Sequence, residues 1–128
     1  MTERKRVYSG APWENIVGYC RAIKVGNQIF VSGTTSIGED GKIFAPNDPY
    51  RQAKRCFEIA LKSLSDLDCP ISNIVRTRMF VTEIKLWEEF GRAHQEFFWE
   101  HPPATSMIEV KGLIDPALLI EVEVEAIL

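Results

Sequence analysis

From Ile120 to Glu125 apolar and acidic residues alternate without a break, Ile120, Val122 and Val124 against Glu121, Glu123 and Glu125. Strict period-two alternation predicts a strand with one face in a core and the other outside it. Successive carboxylates on the outer face stand about 7 Å apart by the strand rise. Water, arginines, a ligand or another subunit must answer that charge. Upstream, Pro102-Pro103 precede a short strand-like run from Ala104 to Val110, and Ile114-Asp115-Pro116 makes a turn.

The rest of the chain supplies partners for this strand. Residues 17–25 and 28–33 read as two strands joined by Gly26-Asn27, residues that tolerate the positive φ of a tight hairpin. A polar, glycine-bearing loop runs from Thr34 to Asn47. Asp48 is placed as an N-cap with Pro49 at the first helical position. Ala53, Phe57, Ala60, Leu61, Leu64 and Leu67 then recur at helical steps, and Asp68-Cys69-Pro70 stops the helix. Ile74 to Val81 reads as a strand, with Val75, Thr77, Met79 and Val81 on one face and Arg76, Arg78 and Phe80 on the other. A second helix is predicted over Lys85 to Trp99, with Leu86, Phe90, Ala93 and Phe97 on its stripe and Thr82 as a cap.

That order predicts an α+β fold, a two-layer sandwich whose mixed sheet is covered on one face by two helices. The other face is left bare and carries Arg76, Arg78, Phe80 and the glutamate row. A mixed aromatic and charged face on so small a domain points to burial against another copy of the chain.

With 128 residues the chain is expected to be one domain, 1–128, with residues 1–15 a loosely ordered N-terminal arm. The net charge of −3 argues against a dedicated nucleic-acid binder, and the Arg4-Lys5-Arg6 cluster reads as solvated. Cys20, Cys56 and Cys69 are odd in number and lack metal-ligand spacing, which suits a reducing compartment. No apolar run reaches membrane-spanning length and the start is too polar for a secretory signal, so the expected location is cytoplasmic with no membrane partner.

Taken in order, these segments resemble the Rid family of reactive-intermediate deaminases, also called YjgF-like. The resemblance runs from Val17 to the end. It rests on Gly26-Asn27 followed by Ile29-Phe30-Val31-Ser32-Gly33, on Gln52-Ala53, and on Val75 to Val81. Phe97-Phe98, Pro103-Ala104, Glu109-Val110, Leu113 and Ile120-Glu121-Val122-Glu123 complete it. It implies a chorismate-mutase-like fold assembled as a homotrimer, with ligand clefts between subunits. Deaminating members hydrolyse enamines or imines to 2-keto acids and ammonia without metal or organic cofactor. An arginine after the Pro-Ala pair holds the substrate carboxylate there, and a glutamate in the last strand positions water.

This chain departs from that pattern at the arginine, where Thr105 stands. A hydroxyl offers one hydrogen bond but neither a charge nor a bidentate fork. Losing such a contact in a partly desolvated cleft costs on the order of 10²–10³-fold in binding. Cys20 takes the place of the family's tyrosine, with Tyr19 one residue early, and Thr34 replaces a glutamine. The chain is therefore expected in a branch lacking the carboxylate-binding arginine.

Glu121 matches the family's catalytic glutamate, with Glu123 as the alternative alignment on the same face. A carboxylate in a dry cleft has a raised pKa and shuttles protons to water or imine; paired with Arg76 and Arg78 it would be structural. Thr105 and Met107 share a face and line the cleft by family position. Ser32 and Cys20 are cleft candidates by position. Arg78 either supplies the missing positive charge or pairs with the glutamate row. Trp87 either walls a neighbouring subunit's cleft or packs, and His94, beside Phe97 and Phe98, reads as structural. No metal site or cofactor is expected. The expected function is a trimeric protein binding a small metabolite, acting as a metal-free deaminase of enamine- or imine-like compounds with altered substrate range. The alternatives are a non-catalytic metabolite-binding or chaperone-like module and, less favoured, an endoribonuclease.

Overall fold

The alternation at the C-terminus places Ile120, Val122, Val124 and Ala126 under two helices and turns the three glutamates away from them. The computed structural model describes residues 2–128. Its strands are β1 (Arg4–Val7), β2 (Ala22–Val25), β3 (Gln28–Thr35), β4 (Ile74–Val81), β5 (Ala104–Glu109) and β6 (Ile120–Ile127), and its helices are α1 (Pro49–Ser65) and α2 (Trp87–Phe98). The strands form one mixed sheet in the order β1-β2-β3-β6-β4-β5, in which only β4 and β5 run parallel. The last strand thus lies in the middle of the sheet, hydrogen-bonded to β3 and β4, which is why its inward residues are fully buried.

Helix α1 begins as its sequence dictates: Asp48 accepts from Arg51 N at 3.1 Å and Pro49 needs no donor there. Its buried face, Ala53, Cys56, Phe57, Ala60 and Leu64, seals the centre of the sheet. Phe57 meets Phe97 and Phe98 of α2 with ring centroids 5.8 and 5.5 Å apart. Gln52, fully buried, donates to Ala45 O and Ala117 O and accepts from Leu119 N, so it binds two loops to the start of the helix. Among the described residues no helix is long and apolar enough to cross a membrane.

The structure corrects several sequence expectations. Residues 4–7 of the expected loose arm are an edge strand, registered residue by residue on β2. The first hairpin starts at Ala22 rather than residue 17, because Glu14–Gly18 close a π-helical turn and Gly18 reverses the chain at φ +93°. Val75 is exposed, since a bulge between Ile74 and Arg76 gives the inward position to Ile74. Thr82 caps nothing; a short 3₁₀ turn at Ile84–Leu86 leads into α2, and Ile84 N donates to Glu109 Oε1 at 2.9 Å.

Candidate functional site

On the bare face the register sets cations against the acidic row, Arg76 opposite Glu125, Arg78 opposite Glu123 and Phe80 opposite Glu121. Arg78 Nη1 lies 3.7 Å from Glu123 and 3.4 Å from Glu125, and Arg76 Nε lies 3.5 Å from Glu125. Glu121 is left facing Phe80, with no ion pair or hydrogen bond among the described residues. Two of three carboxylates are neutralised; the third is not.

The neighbouring strand shapes the space for it. Val31 pairs with Val124 but Thr34 with Val122, so one extra residue sits in β3 around Ser32 and Gly33. The carboxylate of Glu121 lies over the bare Cα of Gly33, where any side chain would collide with it. Its pKa is raised above the ordinary value, first by burial, then by Glu123, and is held down in part by Arg21. Glu121 is thus the half-buried, unpaired member of the row.

Glu121 opens into a cleft of about 1040 Å³. One wall is the 8–13 loop with Tyr19 and Arg21; the bulge with Glu121 and Glu123 forms the floor; Arg55 and Ile59 of α1 form the opposite wall. The first wall is held by buried Glu14. Its oxygens accept from Ser9 N at 3.1 Å, from Ser9 Oγ and from Gly10 N at 3.4 Å, and Arg21 Nε stands 3.5 Å away.

Of the sequence-predicted site residues, the cleft brings together Glu121 and Ser32. The Ser32 hydroxyl donates to Cys20 O at 2.7 Å. Tyr19, rather than Cys20, lines the cleft; Cys20 lies in a shallow groove of about 220 Å³ beside Arg6 and Asn15. Arg78 is held by the glutamates outside it, and Trp87 stands exposed at the start of α2.

Thr105 and Met107 are on β5 opposite Thr77 and Met79, on the helix side of the sheet. Thr77 Oγ1 donates to Thr105 Oγ1 at 2.6 Å and lies 2.8 Å from His94 Nε2. The His94 imidazole, desolvated among Phe57 and Phe98, has its pKa lowered to about 4. Since Thr105 is level with Thr77 and Glu121 with Phe80, two strand spacings and three residue rises separate them, roughly 14 Å. They also occupy opposite faces. Glu14, Tyr19 and Arg21 line or support the cleft without having been singled out as site residues in the sequence, where no local pattern links Glu14 to Arg21.

Residues 10–128 match a family model described as endoribonuclease L-PSP. An uncharacterised protein of Streptomyces coelicolor is 37% identical over 122 residues, 95% of this chain and 90% of that one. The 3-aminoacrylate deaminase RutC of Acinetobacter baylyi is 25% identical over 104 residues, covering 81% of this chain and 82% of its own. Among solved structures, a Mycobacterium tuberculosis member of the YjgF/YER057c/UK114 family superposes with a TM-score of 0.89 at 36% identity, over 98% of this chain and 100% of that one.

Proposed function

This chain belongs to the endoribonuclease L-PSP family, the YjgF/RutC or Rid family, and on that premise we propose that it is a homotrimeric, metal-free deaminase of enamine- or imine-like metabolites. The observation that carries the reading is Glu121, a carboxylate without a partner, partly desolvated, at the floor of a cleft large enough for a metabolite. A relative at lower identity bears the name 3-aminoacrylate deaminase, which supports the reaction class.

In the proposed reaction the enamine takes a proton at carbon and presents a protonated imine. Water adds to the C=N carbon while its proton passes to the Glu121 carboxylate, and the π pair moves to nitrogen. Glu121 then returns that proton to the nitrogen, which leaves as ammonia as the C=O bond forms, and the hydroxyl proton passes to solvent, replacing the one taken up at carbon. The sum is imine plus water to carbonyl plus ammonia. A raised pKa suits both halves, because one carboxyl must accept and then release a proton near the working pH.

Self-association is supported by the bare face, where exposed Phe30 and Ile108 flank the arginine–glutamate rows. Thr105 and Glu121 could serve one ligand only if two subunits contributed them. Because Thr105 offers no guanidinium, the substrate range differs from that of arginine-bearing relatives. The test is coupled deamination of 2-aminoacrylate and 3-aminoacrylate generated in place, with Glu121→Gln as control. Loss of turnover by about 10²-fold or more in that variant supports the reading; turnover unchanged by it sinks the reading.

A binding module without catalysis is the second reading, favoured by the engagement of Ser32 with Cys20 O. It expects Glu121→Ala to preserve ligand binding with no turnover in either form. Ribonuclease action has less support, because among the described residues neither histidine lines the cleft.

A further inference from the structure

Arg21 is 5% exposed, yet of its five N–H donors only Nη1 reaches a hydrogen bond, to Thr34 Oγ1 at 3.4 Å. Nε and Nη2 are buried without a hydrogen-bond partner among the described residues. Glu14 does not satisfy them: at 3.5 Å its Oε2 is beyond the roughly 2.7–2.9 Å of a charge-assisted bond, and its oxygens already serve Ser9 and Gly10. The Tyr19 ring lies 5.4 Å from the guanidinium carbon. A buried cation with donors to spare needs an acceptor.

That cation lies on the wall of the cleft that holds Glu121. The other arginines differ from it, because Arg55 spends its Nε on a short bond and Arg76 and Arg78 lie outside the cleft. Arg55 Nε donates to Ile37 O at 2.7 Å and its Nη1 lies 4.0 Å from Glu58, while Arg76 and Arg78 are held by Glu123 and Glu125. We propose that Arg21 is the anion anchor of this cleft, its guanidinium taking a carboxylate oxygen of the bound metabolite in place of the contact that Thr105 cannot make. The inference rests on reading the cleft as a metabolite site, and it relocates the carboxylate contact to the chain that carries Glu121. Glu121 and Glu123 in the same cleft oppose a dianion, so the ligand class is a monocarboxylate rather than a phosphate. Access follows when the Tyr19 ring, which also lines the cleft, turns off the guanidinium.

The test compares 2-oxobutanoate with butanone, the same skeleton without the carboxylate, by calorimetric titration. The proteins are the natural chain, Arg21→Lys, Glu121→Gln and the double variant Glu14→Gln/Arg21→Gln, which removes the buried charge pair together. The natural chain and Glu121→Gln are expected to prefer the acid by about tenfold or more, Arg21→Lys by less, and the double variant not at all. In crystals of the natural chain soaked with the acid, a carboxylate oxygen is expected about 3 Å from the guanidinium, a readout independent of any variant's folding. Equal binding of acid and ketone, an undiminished preference in the double variant, or a carboxylate seated away from Arg21 overturns the proposal. Acid preference without hydrolysis would sink only the deaminase reading; Glu121-dependent hydrolysis indifferent to Arg21 would sink only the anchor.

Discussion

The carboxyl carbon of Glu121 lies 3.0 Å from where a Cβ on Gly33 would stand, with Oε2 closer still. The bulge at Ser32-Gly33 and the last strand thus form one unit in which a missing side chain makes room for a carboxylate. Gly33→Ala has only the end of a flexible side chain to displace, so it should cost within about 1 kcal/mol of stability. Activity should nevertheless fall toward that of Glu121→Gln. Steady-state kinetics beside a thermal melt check this; a variant that melts normally and keeps full activity would separate Gly33 from the site.

Ionised Glu121 is a liability to the folded chain. Its folded pKa is raised from 4.5, so its contribution to stability is fully present below that value and lost as pH rises through the folded pKa. Glu121→Gln should therefore raise the melting temperature at pH 7, by a few degrees at most because the group is only partly buried. Below pH 4.5 the increment should vanish. Melts at the two pH values decide it, and an increment that grows on acidification would contradict the assignment of cause.

How much of this was readable beforehand depends on the kind of information each feature needs. The alternation of β6, the cap Asp48 and the stripe from Ala53 to Leu64 are local patterns, and they appear as predicted. The bulge that exposes Val75 is not local, because either parity of Ile74 and Val75 fits an apolar strand until Glu125 fixes the register of Arg76. Arg21 was passed over for a similar reason. Its burial depends on Glu14 in a separate turn, and no period links the two. The position of Thr105 across the sheet from Glu121 follows from the parallel pairing of β5 on β4, which sequence does not announce.

His94 gives the chain a second pH dependence of opposite sign. Burial lowers its pKa from 6.5 to about 4, so the stability it contributes is present above pH 6.5 and lost as pH falls toward 4. Allowing for partial exposure, the loss is about 1–2 kcal/mol. His94→Gln keeps a polar group for Thr77 Oγ1 but does not titrate, so its urea midpoint should vary less with pH over that range. Equal slopes in the two proteins would show that His94 is not the titrating group.

Arg78 offers the clearest handle on assembly. It binds Glu123 and Glu125 at 3.7 and 3.4 Å with about a third of its side chain exposed, on the face left uncovered by the helices. In a single chain Arg78→Glu would set three like charges together on partly solvated strands, a cost of about 1–2 kcal/mol that a folded domain tolerates. Buried between copies, the same charges would lose their solvent, and unpaired carboxylates in an interface cost several kcal/mol each. The variant should therefore remain folded by circular dichroism yet sediment as a monomer, where the proposed assembly expects a trimer for the natural chain. Lys at this position keeps the sign and should preserve assembly with a weaker interface. If the natural chain is itself monomeric at micromolar concentration, the bare face has another role and the shared-cleft reading of Thr105 falls with it.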